Sequence, residues 1–190
     1  MHAMTAYPPI LRLAPLALLA LAMLTPMLPA AEIEYYMKMS DVDGESVDDG
    51  HKDWIVLLSF SHAINKRVED FVTTGRSTFT PIVVTKIVDR SSPLLMRAIA
   101  GGKLLPAVQI EAVNAETQQT YLRYEMKNVL ISNWSTSGNA DIQPTEQLSL
   151  NFEEIKVIYH RYTFGSPDPV ESVEMGWSVI DDAEAPRKTE

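Results

Sequence analysis

Asp41, Asp43, Glu45, Asp48 and Asp49 crowd around Gly44 and Ser46. Hard oxygen donors at such spacing could hold calcium. The helix–loop–helix calcium loop needs glycine sixth and a bidentate glutamate twelfth. Here Gly44 falls fourth and Lys52 twelfth, so the run reads as a solvated turn. Four histidines, His2, His51, His62 and His160, show no H-E-x-x-H or related metal spacing. His62 shares a strand face with Phe60 and Ile64, and His160 lies near a strand end. These read as structural or surface groups. Nucleophilic hydrolysis would want a G-x-S-x-G elbow, and none occurs. Gly101-Gly102-Lys103 lacks the upstream glycine and following Ser/Thr of a phosphate loop. There is no cysteine, which removes disulfides, thiolate catalysis and Cys-based metal sites. Asn133-Trp134-Ser135 is a glycosylation sequon, of consequence only in a eukaryotic secretory route. Trp54, Trp134 and Trp177 and seven tyrosines are scattered, which favours core or subunit-interface use over a sugar-binding face. No catalytic, cofactor-binding or metal residue is assigned, no cofactor is expected, and the reading is of a protein that is not an enzyme.

The elements that carry these residues are mostly strands. The chain has 190 residues, enough for one domain with a real core. Its formal charge is −9, with no basic stripe, which argues against a nucleic-acid partner. Leu11–Leu24 is apolar, with Arg12 near its start and Ala30–Ala31 at its exit. That is the layout of a cleavable secretory signal over residues 1–30. A membrane anchor is the rival, disfavoured by Pro15, Thr25, Pro26 and Pro29. A start at Met27 would remove the leader altogether. Loss of residues 1–30 deletes Arg12 and no carboxylate, taking the charge to about −10. No stable membrane association is expected after that loss.

Ile33–Met39 alternates like a half-buried strand. The next strand runs from Trp54 towards Ile64, apolar on both faces and therefore expected to be covered on both sides. Asn65–Arg76 lacks sustained alternation and reads as a long connection. Ser77–Asp89 suits another strand. Ser92 as cap, Pro93 at the first position, the Leu94/Leu95/Ala98/Ile99 face and Gly101–Gly102 as stop define one short helix. Further strands begin at Val108 and Leu122, and a last one spans Leu148–Tyr159. Phase slips near Lys127–Asn128 and Glu153–Glu154 predict β-bulges, the devices that curl sheets. The expectation is a mainly β protein: a small antiparallel barrel or curled sandwich over residues 31–181 with one short helix. Asp181 to Glu190 reads as a disordered tail, 182–190 lying outside the domain.

Several blocks resemble the haemolysin-coregulated protein family, Hcp. They are Met37-Lys38, Gly44-Glu45-Ser46, Gly50–Ile55, Phe79, Val84-Thr85-Lys86, Asp89–Met96, Tyr121-Leu122, Asn128–Ser132, Pro144–Phe152 and Gly176-Trp177. They fall in order over roughly 150 residues, a specificity no single short motif has. The resemblance implies an inner-tube subunit of type VI secretion, a barrel with one helix that forms stacked six-membered rings. It implies partners in the chain itself, in effectors and in a spike protein, with no catalytic residue to transfer. The family's protruding loop would be Asn65–Arg76. Family tubes are built in the cytoplasm and then exported. A genuine leader would instead place the subunit in the periplasm, as a ring or monomer acting as a binding module outside the tube.

Overall fold

The computed structural model describes residues 32–185. The chain divides into two units, Met1–Ala30 and Ala31–Glu190. The first lies outside the described residues, and with it the leader, anchor and alternative-start readings.

The second unit is built of strands, with one helix among the described residues. Its strands are β1 (Ile33–Met39), β2 (Ile55–Leu57), β3 (Ser59–Ser61), β4 (Ile64–Glu69), β5 (Val72–Phe79) and β6 (Ile82–Ile87). The helix α1 (Ser92–Ala100) follows, then β7 (Leu105–Asn114), β8 (Gln119–Asn139), β9 (Ile142–Asn151), β10 (Glu154–Arg161), β11 (Glu171–Ser178) and β12 (Ala183–Glu184). All ladders are antiparallel. One path runs β12-β11-β10-β8-β7-β1-β2, and β9 and β6 extend from the far half of β8 to β3. The ladders curl into a sandwich rather than a closed barrel.

The curl comes from β8. Its first half pairs with β7 and β10, and its second half pairs with β9. Between them Asn128 takes a φ of 49° and shifts the phase, so that both Met126 and Val129 are buried. The second slip lies directly opposite. The Glu153 N–H donates to the Lys127 carbonyl at 3.1 Å, and Asn128 Nδ2 donates to the Glu153 carboxylate at 2.6 Å. The expected bulge at Glu153–Glu154 is a full break: the Leu148–Tyr159 segment is two strands, β9 and β10, meeting at this corner.

Met37, Met39, Val108, Ile110, Met126 and Ile155 fill the core from one side. Ile82, Val84, Ile131, Leu148 and Leu150 fill it from the other. Leu95 and Ala98 of α1 seal it, while Leu94, expected on the same face, is exposed. The helix stop is as expected: Gly102 has a φ of 59°, and the Lys103 N–H returns to the Ala98 carbonyl at 2.8 Å. Its start is not. The cap position is Ser91, whose hydroxyl donates to Asp89 instead of capping, and the Ser92 hydroxyl turns inward to Glu146 at 2.9 Å. Each serine hydroxyl is taken by a carboxylate, a stronger acceptor bond than a neutral one.

The segment from Trp54 to Ile64 also departs from expectation. It is two short strands, β2 and β3, before β4 begins at Ile64, and only one side is covered. Ile55 and Leu57 are buried, whereas Val56 is 47% exposed and Leu58 50%. The strand changes partner at Leu58, from β1 to β6, so each half can bury only one face in this chain. Asn65–Arg76 is not a structureless connection: β4 and β5 form a hairpin with its own two-stranded sheet. Its ladder and a turn with positive φ at Asp70 and Phe71 hold it without a buried face on β4, which is why alternation failed to reveal it. The tail expected to be disordered from Asp181 supplies β12, paired with Trp177–Ser178.

Candidate functional site

In the acidic run at Asp41–Asp49 the carboxylates of Asp41, Asp43, Glu45 and Asp49 are exposed, as expected of a solvated turn, while the residues between them are packed. Val42, Gly44 and Ser46 are buried in alternation. A Cβ on Gly44 would lie 2.2 Å from the Trp54 carbonyl oxygen, so only glycine permits this approach. The carboxylates diverge: Asp41 to Lys103 at 3.2 Å, Glu45 to the Arg90 N–H at 2.9 Å, and Asp48 to His51 at 2.7 Å. Among the described residues no group of three or more His, Asp or Glu is placed to hold a metal.

Two buried polar clusters instead lock elements together. His51 sits between Asp48 and Glu111, its Nε2 2.9 Å from the latter, and stacks on Tyr36 with ring centres 4.3 Å apart. Glu111 also accepts from Thr120 at 2.6 Å and Arg123 at 2.8 Å. Burial alone would raise its pKa, but the bonds from His51 and Thr120 and the Arg123 charge outweigh it and leave it lowered. Burial and the Glu34 partner raise the Tyr36 phenol.

The second cluster centres on Lys86, fully buried on β6. Its ammonium donates to Glu146 at 2.8 Å, to Asp89 at 2.7 Å and to the Ile87 carbonyl at 2.8 Å. Glu146 in turn accepts from Ser92 and from Trp134 Nε1 at 3.1 Å. Sheet and helix start are thereby joined through two ion pairs that share one ammonium. Sequence reasoning gave Lys86, Asp89 and Glu146 no role and read Ser92 only as a helix cap. Their only signal was the Val84-Thr85-Lys86, Asp89–Ser92 and Pro144–Glu146 blocks.

His62 packs on Phe79, Tyr124 and Phe152, with centroids 5.7–6.3 Å away. Burial lowers its pKa. Its Nε2 and the Trp177 indole nitrogen are buried without a partner. His160 bonds Ser172 at 2.7 Å on the exposed side of β10. Asn133 is exposed on β8. The three tryptophans stay apart: Trp54 against His51, Trp134 on Glu146, Trp177 against Phe79.

What remains uncovered is apolar surface and the hairpin. Val56, Leu58, Val88, Leu94, Met96, Leu104 and Leu130 are each 37–50% exposed. All of β4 is exposed, and Phe71 at the hairpin turn is fully so. The arrangement is equipped for association, with ion pairs spent on holding elements in place.

The family model described as "Type VI secretion system effector, Hcp" matches residues 36–159. The chain is 29% identical over 160 residues to Protein hcp1 of Pseudomonas aeruginosa, covering 80% of this chain and 99% of the relative. It is 28% identical over 127 residues to the Major exported protein of the same organism, 60% of this chain and 74% of that one. Among solved structures, a type six secretion system protein matches at TM-score 0.75 and 24% identity, over 81% of this chain and all of that one. Hcp1 from Salmonella typhimurium matches at TM-score 0.69 and 25% identity, over 80% and 99%.

Proposed function

The chain belongs to the Hcp family of type VI secretion proteins, and from that premise we propose that it is a structural subunit of the secretion tube, working as a six-membered ring that stacks on its copies. The observation that carries this reading is the exposed apolar set around β2, α1 and β8, led by Val56 and Leu58. A soluble monomer gains nothing from showing such surface, and a neighbouring subunit is the common cover. Closed cyclic symmetry then gives a ring, and the same ring repeated gives a tube. The hairpin, exposed on every residue of β4, is the element free to reach an adjacent ring. Effectors and a spike protein are the expected passengers.

Light scattering coupled to size exclusion tests the reading directly. Residues 31–190 should elute with the mass of six chains. Deleting the turn Asp70–Phe71 should keep that mass and abolish longer stacks in electron micrographs. A monomer at tens of micromolar would sink the ring reading.

A second reading rests on the apolar Leu11–Leu24 run. If residues 1–30 are cleaved on export, the ring or monomer acts as a binding module outside the tube. Mass spectrometry of native protein decides: a chain starting near Ala31 supports export, and one starting at Met27 returns the protein to cytoplasmic assembly before secretion.

A further inference from the structure

The hairpin touches the rest of the protein at its base, and one clasp there is polar. Arg76 Nη2 donates to the Val179 carbonyl at 3.0 Å and also to the Ile180 carbonyl. Next to it the Ser77 N–H donates to Asp182 Oδ1 at 3.1 Å. The turn that receives these bonds is itself anchored. Its Val179 N–H returns to the Glu153 carbonyl at 2.8 Å, at the corner between β9 and β10. Ser178 and Asp181 close it on itself at 2.7 Å, and β12 pairs it to β11. A guanidinium presents a planar, pre-organised set of donors, so two consecutive carbonyls fix direction better than one flexible ammonium would. The hairpin's own ladder sets its shape but not its aim, because neither β4 nor β5 pairs with any other strand.

We propose that Arg76, with Asp182, is the positioning clasp of the hairpin: the Val179–Asp182 turn holds β4–β5 in the one direction that lets it engage an adjacent ring. The stacking half of this statement rests on the tube reading above; the aiming half does not. The turn lies beyond the span 36–159 that the family model matches. A partner that captured the Val179–Asp182 turn would release the hairpin and thereby control stacking.

The absence of cysteine makes the aim measurable. Spin labels on Val68→Cys, in the hairpin, and Glu116→Cys, in the β7–β8 turn, report the distance between them by pulsed electron resonance in rings where labelled chain is diluted with excess unlabelled chain. One narrow distance is expected. Arg76→Ala and Asp182→Ala should each broaden it, whereas Asp182→Asn, which keeps the accepting oxygen, should restore it. The melting temperature and ring mass should stay near those of the parent, and stack length should fall. An unchanged distance distribution in Arg76→Ala overturns the clasp. A broadened distribution with normal stacking overturns its link to assembly. If stacks survive deletion of Asp70–Phe71, the fault lies with the tube reading, and the distance measurement still judges the clasp.

Discussion

Lys86 shows how one residue can specify more than it stabilises. Its charge and that of Glu146 are both removed from water, and the attraction roughly offsets the desolvation. Lys86→Met alone should therefore cost about 3–5 kcal/mol, because Glu146 is left buried without its countercharge. Lys86→Met with Glu146→Leu should recover part of that loss, since Asp89 still lacks its cation. Urea melts of the two single variants and the double variant measure the coupling; additive losses would contradict the arrangement. Such a pair is invisible in one sequence, since the partners lie 60 positions apart and both look like ordinary surface residues. His62 was legible only as a face-sharing residue beside Phe60 and Ile64. Its environment makes it a pH-sensitive group. Burial lowers its pKa below the ordinary 6.5 in the folded chain, so the unfolded chain binds more protons just below that value. The stability it contributes is complete above pH 6.5 and is lost as the pH falls through the lowered folded value. Glu111 acts in the same direction but lower, below its ordinary 4.5. Melts across pH should thus show two declines, and His62→Phe should abolish only the upper one. An unchanged upper decline would show that His62 is not its source.

At the scale of elements, signals that depend on local physics held and those that depend on partners did not. Pro93 and Gly102 mark the helix because they act on their own backbone, and both ends fall within a residue of expectation. The Ser92 cap failed because a buried carboxylate from β9 competed for its hydroxyl. Both phase slips were readable as broken alternation, but not the fact that they face each other across one corner. The hairpin was marked only by the family resemblance, as a protruding loop, and not by periodicity, since strand periodicity reports a buried face and β4 has none. Leu95 is fully buried and Arg97 exposed on the same helix. Leu95→Ala should cost about 2–5 kcal/mol, and Arg97→Ala less than about 0.5 kcal/mol. Equal losses in denaturant melts would mean that α1 is not docked as described. The surplus of apolar side chains on the Trp54–Ile64 segment was legible; which faces it leaves bare, at Val56 and Leu58, needed the fold.

For the whole molecule, β8 is more than a shared border. One 21-residue strand passes through both layers, and β9 and β10 follow it back along nearly its full length. The layers are thus covalently continuous, and neither can slide without breaking backbone bonds along β8. A force along this strand meets its ladder bonds side by side, loaded together in shear, whereas a force across it would peel them one by one. Pulling between positions 119 and 161, where the long hairpin's arms end at one edge, should unzip it at low force. Pulling between 119 and 151, along β8, should demand several times more. The grain of this protein runs along β8, and it is strong with the grain and weak across it.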